Sequence, residues 1–149
     1  VLTRQGLPII DQEKYTKAKS LEKGAYIISE AQNDPEIILI GTGSEVQLAL
    51  AAQEKLKEKN IDARVVSMPS WELFEEQSKQ YKENVFPKDL RKRLAVEAAS
   101  PMGWGKYVTD EGDVIGVEGF GESAPDEEVL QAYGFTVENV VEKAMALVS

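Results

Sequence analysis

Ile37-Ile-Leu-Ile40 is apolar at every position, runs into the turn Gly41-Thr-Gly-Ser-Glu-Val46, and is followed by a stretch whose apolar residues recur at helical spacing. An uninterrupted apolar run suits a strand buried on both faces of a parallel sheet, with the next helix packed back over it. Ser44 and Gln47 match a capping box, so the helix is predicted to start at Ser44 and run to about Lys59. Val46, Ala49, Leu50, Gln53 and Leu56 share one face, while Glu54, Lys55, Lys57 and Glu58 decorate the other. Asn60, which tolerates the left-handed conformation, ends the helix. Ala63-Arg-Val-Val-Ser67 is the next strand and completes a predicted right-handed βαβ unit.

The same pattern extends in both directions. Gly24 to Ile28 reads as a short strand, bounded downstream by the turn Asn33-Asp34-Pro35. A short strand leading into a tight turn is expected to pair antiparallel with its successor, at the edge of the sheet. Met68-Pro69-Ser70 stops the Ala63–Ser67 strand, and Trp71 to about Val85 is a weakly amphipathic helix with Trp71, Phe74, Tyr81 and Val85 inward and Pro87 as terminator. Leu94–Glu97 and Val114–Val117 are further strands, separated by the small-residue loop Ala98–Gly103 and one turn at Trp104–Tyr107. The loop Gly119–Pro125 ends with proline at the first position of a short helix, followed by Asp126-Glu-Glu128 and closed by Gly134. Thr136 caps a last helix to about Leu147, with Val137, Val140, Val141, Ala144 and Leu147 or Val148 inward. The fold class is therefore α/β: three layers, α/β/α, around a five-stranded, mostly parallel sheet with one antiparallel edge strand. Residues 1–22 read as a tail or linker, and residues 23–149 as the domain it feeds.

Composition removes whole classes of chemistry. The 149 residues include no cysteine and no histidine, which excludes disulfides, thiolate metal sites, cysteine nucleophiles and every triad that turns on imidazole. A net charge of −9 makes nucleic acid and anionic membrane unsuitable partners. Neither a bilayer-spanning run nor a signal peptide is visible, and the lack of cysteine suits a cytoplasmic protein. The start at Val1 reads as that of a fragment or a processed product.

Candidate chemistry is sparse. The Gly41–Ser44 turn lacks both the third glycine of a dinucleotide fingerprint and the lysine of a P-loop. Two readings stand: a tight turn for close helix packing, or a small-anion site at a helix N-terminus, as in a regulatory binding module. Glu72 with Glu75 and Glu76, and Glu111 with Asp113, are carboxylate pairs whose spacing alone assigns no acid–base role. Trp71 and Phe74 suit core or interface anchors, and Ser123 has no base to activate it. Arg4, between Thr3 and Gln5, offers a planar fork suited to phosphate or carboxylate.

From Arg64-Val-Val-Ser-Met-Pro-Ser-Trp-Glu-Leu-Phe-Glu-Glu-Gln77 the chain resembles the C-terminal domain of the transketolase family. The resemblance continues in Leu2-Thr-Arg-Gln5, Ile40–Val46, Ala95–Ala98, Trp104 with Lys106-Tyr107-Val108, Phe120–Pro125 and Gly134–Val140, in the family's order over nearly the whole chain. It implies a homodimeric enzyme that moves a two-carbon ketol unit between ketose and aldose phosphates, using thiamine diphosphate with Mg2+ or Ca2+. It places the cofactor between two upstream domains, and makes residues 1–22 the end of the pyrimidine-binding one. In that reading the present chain is structural, contacts the partner subunit, and is inactive alone. One binding residue carries over: Arg4, in Thr3-Arg4-Gln5, would contact the substrate phosphate in the full-length enzyme. No catalytic, cofactor-binding or metal-binding residue is expected within the chain.

Overall fold

A computed structural model describes residues 9–118, apart from positions 12 and 17, and residues 130–149. Five strands, β1 (Tyr26–Ser29), β2 (Ile37–Gly41), β3 (Ala63–Ser67), β4 (Arg93–Val96) and β5 (Asp113–Ile115), form one sheet in the order β1-β3-β2-β4-β5. The helices are α1 (Val46–Lys57), α2 (Trp71–Glu75), α3 (Lys79–Val85), α4 (Gly105–Val108) and α5 (Val137–Val148).

The apolar run read from the sequence is the central strand. β2 lies between β3 and β4, parallel to both, and all five of its residues are buried. Its side chains alternate between two cores, as a pleated strand dictates. Ile37 and Leu39 join α1 and α5 on one face, whereas Ile38 and Ile40 join Phe74, Val85, Trp104 and Tyr107 from α2, α3 and the α4 region on the other. Val65 and Val66 of β3 divide in the same way. Three layers follow directly from that division.

β1 is an antiparallel edge strand, as expected, but its partner is β3 and not β2, with Ile27 opposite Val66. Both edges of β2 are occupied by parallel neighbours, so no ladder remains for β1 there. The connecting segment is instead held by Asp62, whose carboxylate accepts from the Gln32 amide (3.2 Å), the Asn33 amide (3.4 Å) and Asn33 Nδ2 (2.7 Å).

Two helix expectations also need correction. The Ser44–Gln47 capping box does not form: a 3-10 turn at Gly43–Glu45 leads into α1, and Ser44 Oγ donates to Glu45 Oε1 at 2.5 Å. The single helix expected over Trp71–Val85 is two, because Ser70 and Ser78 each cap a new start, accepting from Leu73 N (3.3 Å) and Tyr81 N (3.2 Å). A serine that caps competes with continuation of the preceding helix, and that competition breaks the segment at Gln77-Ser78. Elsewhere the boundaries hold to within a residue or two. Asn60 is left-handed (φ 59°), Thr136 Oγ1 accepts from Asn139 N to start α5, and Gly134 is left-handed (φ 79°) where the preceding helix ends. The Gly119–Pro125 loop and the helix start at Pro125 lie outside the described residues.

Gln53, placed on the apolar face by its spacing, is buried and donates to Ala63 O (2.7 Å) and Glu30 O (3.2 Å), tying α1 to the start of β3. Gly24 sets the approach of β1 to α2. Its φ is +76°, and a Cβ there would lie 2.3 Å from Phe74 N and 2.4 Å from Ser70 O. Gly24→Ala is accordingly expected to lower stability by about 2–3 kcal/mol in urea unfolding, since the obstructing atoms are backbone and cannot step aside.

Candidate functional site

In open α/β sheets the usual ligand crevice lies beyond the C-terminal strand ends, where successive connections leave in opposite directions. Here β2 leads through α1 to β3 on one side, and β4 leads through α4 to β5 on the other, so the crevice lies beyond Gly41 and Val96. On the β2 side, a Cβ on Gly41 would sit 2.7 Å from Val46 Cα and 2.9 Å from Val46 N, so only glycine lets α1 come this close. Glu45, 8% exposed where α1 begins, supplies its own negative charge there, and its amide is already bonded to Thr42 O at 3.1 Å. An incoming anion would meet that carboxylate. The turn serves packing, and the small-anion reading of Gly41–Ser44 has no support in this geometry. On the β4 side, Glu97 Oε2 accepts from Trp104 Nε1 at 2.5 Å.

The carboxylates noted in the sequence are distributed among separate structural contacts. Glu111 and Asp113 do not work together: Glu111 receives Arg91 Nε at 2.6 Å, and Asp113 receives Lys143 Nζ at 2.5 Å. Glu72 accepts from Ser70 Oγ at 3.0 Å. Glu75 is the hub. Its Oε1 accepts from Lys106 Nζ (2.8 Å) and from the Tyr107 hydroxyl (3.0 Å), and its Oε2 from Lys82 Nζ (3.1 Å), so that one carboxylate clasps α2, α3 and α4. Lys106 first, then Lys82 and the Tyr107 hydroxyl, pull its pKa down to about 2, while burial and the adjoining carboxylate raise that of Tyr107. A carboxylate this acidic is a poor proton acceptor at neutral pH and acts as a fastener.

Glu75 has its folded pKa depressed from 4.5 to about 2, so the unfolded chain binds the proton more readily; the contribution is full above pH 4.5 and lost as pH falls toward 2. Glu75→Gln is expected to lower the urea midpoint at pH 7 and to flatten the decline in that acid window, measured as urea unfolding over a pH series.

Arg93 was not singled out by its sequence context. It begins β4, is 7% exposed, and donates to three backbone carbonyls: Nε to Leu90 O (2.9 Å), Nη1 to Tyr107 O (2.9 Å) and Nη2 to Pro87 O (2.7 Å). The signal available was its position at the start of an apolar strand just after the α3–β4 connection. Arg4 and Ser123 lie outside the described residues. Trp71 and Phe74 belong to the aromatic cluster of the α2–α4 core, as anchors. Among the described residues no group of three or more acidic side chains converges to hold a metal ion.

The fold is an open, mostly parallel α/β sheet in which Glu75 and Arg93 each fasten one element to another. Comparison with known proteins makes this specific. A sequence profile of the transketolase-like TK C-terminal domain matches residues 24–136, and the chain belongs to that family. Among curated relatives, the transketolase of Bacillus subtilis (strain 168) is 52% identical over the whole chain, and that of Staphylococcus epidermidis RP62A is 48% identical over 99% of it. The chain spans 22% of the length of each of these relatives. Among solved structures, a Pichia stipitis transketolase in complex with sedoheptulose-7-phosphate superposes with a TM-score of 0.86 at 36% identity, covering 97% of this chain and 20% of that one.

Proposed function

We propose that this chain is the C-terminal domain of a transketolase, a transferase that carries a two-carbon ketol unit from ketose to aldose phosphates, and that by itself it is structural and subunit-contacting rather than catalytic. The observation that carries the reading is 52% identity over the full chain to a relative of which it spans 22%. The sugar-phosphate substrate class is supported by the ligand of the Pichia stipitis relative.

The described residues do not fit thiamine diphosphate and its divalent metal, because no acidic cluster among them is arranged as a donor set. The cofactor, with Mg2+ or Ca2+, is in this reading held by upstream domains, as the family resemblance implies, and the whole enzyme works as a cytoplasmic homodimer. In this reading residues 1–22 are the end of the pyrimidine-binding domain and residues 23–149 the C-terminal domain. Two-carbon transfer assayed on the 149-residue chain with thiamine diphosphate and Mg2+ is expected to give no turnover; sustained turnover would overturn the reading.

Arg4 carries the one substrate contact proposed for this chain, to the sugar phosphate in the full-length enzyme. A charge-assisted phosphate contact contributes about 1.5–3 kcal/mol, so Arg4→Ala is expected to raise KM for phosphorylated substrates roughly 10- to 100-fold. An unchanged KM would remove the role. The same substitution in the 149-residue chain is expected to leave its unfolding midpoint where it was.

A further inference from the structure

At the N-terminal ends of β4 and β5, opposite the crevice beyond Gly41, a groove of about 560 Å³ runs between α2, α3 and α4. Lys79, Lys82, Lys88, Arg91, Arg93 and Lys106 line it, against only two carboxylates, Glu75 and Glu83. Such a concentration of cations stands out in a chain of net charge −9. We propose that this groove is a binding site for a small anion carrying two or more phosphates.

The pairing within the groove leaves positive charge over. Glu83 answers Lys88 at 2.8 Å, but Glu75 is shared by Lys82 and Lys106. Arg91 is drawn outward by Asp110 and Glu111, and Lys79 makes no ion pair among the described residues. Arg93, a buried guanidinium, hydrogen-bonds to neutral carbonyls and lies over the Phe86 ring, and no carboxylate pairs with it among the described residues. Burial and the like charge of Arg91 both lower its proton affinity, which is the condition an anion in the groove would relieve. A buried charge without a counter-charge is costly, and bound phosphate is the counter-charge this arrangement lacks.

The chemistry selects the ligand class. Lysine ammoniums act as point charges and arginine as a planar fork, and both are established phosphate donors. Cations spread along a groove of this size suit several linked phosphates better than a single carboxylate. Because the basic patch is one groove on an acidic chain, it does not suit a long polyanion such as nucleic acid, which needs an extended basic surface.

The proposal does not depend on the transferase reading, and its test uses inorganic pyrophosphate and the 149-residue chain in roughly 0.15 M salt, where exposed charges are screened. Amide shifts in a nitrogen-15 titration are expected to saturate, to concentrate at Lys79, Lys82, Lys88 and Lys106, and to give a Kd near or below about 1 mM. Lys79→Glu and Lys88→Glu together are expected to weaken binding at least about tenfold while the spectrum away from the groove is retained. Shifts that stay linear to about 10 mM, that spread over the whole surface, that are reproduced by sulfate at equal ionic strength, or that survive the double substitution would each overturn the site.

Discussion

Trp104→Ala is expected to lower the stability of the domain by about 3–5 kcal/mol, a large part of the roughly 5–15 kcal/mol that holds a domain folded. Trp104 is wholly buried and sits edge-on to Trp71 at 5.2 Å between ring centroids, with Tyr107 at 6.1 Å. Truncation leaves a void whose lining cannot close, because Trp71 is wedged against Gly103: a Cβ at that position would already lie 2.6 Å from the Trp71 ring. Glu97 also loses the indole N–H at 2.5 Å. Trp104→Phe keeps most of the volume and should cost distinctly less. Guanidinium unfolding of the two variants beside the parent decides it, and equal midpoints for alanine and parent would show that this core repacks freely.

Arg93→Met is expected to cost about 2–4 kcal/mol, and for a different reason. Methionine fills much of the same space, so the loss is polar: the carbonyls of Leu90 and Tyr107 lose the guanidinium, and that of Pro87 keeps only the Leu90 amide at 3.3 Å. Pro87 and Leu90 lie in the connection from α3 to β4, and Tyr107 in the last turn of α4, where helix-end oxygens have no partner within the helix. One guanidinium thus answers two connections at once, and its stacking on Phe86 at 5.2 Å adds a cation–π contact. Arg93→Lys supplies charge without the planar fork and should recover only part of the loss. Thermal or urea unfolding of the three proteins reads the series; a Met variant as stable as the parent would show that water replaces all three bonds.

The parts of the fold that local pattern determines were legible before any coordinates. Ile37–Ile40 had to be interior because no residue in it could face water, and Ala63–Ser67 emerged with the same boundaries as in the structure. The partner of β1 was not legible. A strand of four residues carries too little alternation to specify register, and its choice of β3 depends on which edges of β2 remain open. The break at Ser78 was written in the sequence as a second capping serine, but a continuous apolar spacing through Trp71, Phe74, Tyr81 and Val85 masked it. Glu75 illustrates the remaining difficulty: its meaning comes from Lys106 and Tyr107, some thirty residues downstream, and no local window contains all three. Arg4 was found by family resemblance and not by pattern, and it lies outside the described residues.

The placement of β1 beside β3 has a consequence in time. During synthesis β1 emerges before β2, yet its ladder partner among the described residues is completed at Ser67, some forty residues later, and the central strand must also wait for β4 to cover its other edge. A chain released before Ser67 would present Ile27 and Ile28 on an open strand, ready to pair with another copy. Non-local closure of this kind slows folding, since loop entropy is lost before the sheet repays it. The acidic excess of the whole chain offers little protection at that stage, because residues 1–66 carry ten acidic against nine basic side chains and the charge that would keep copies apart is added only after the outer strand has found its place.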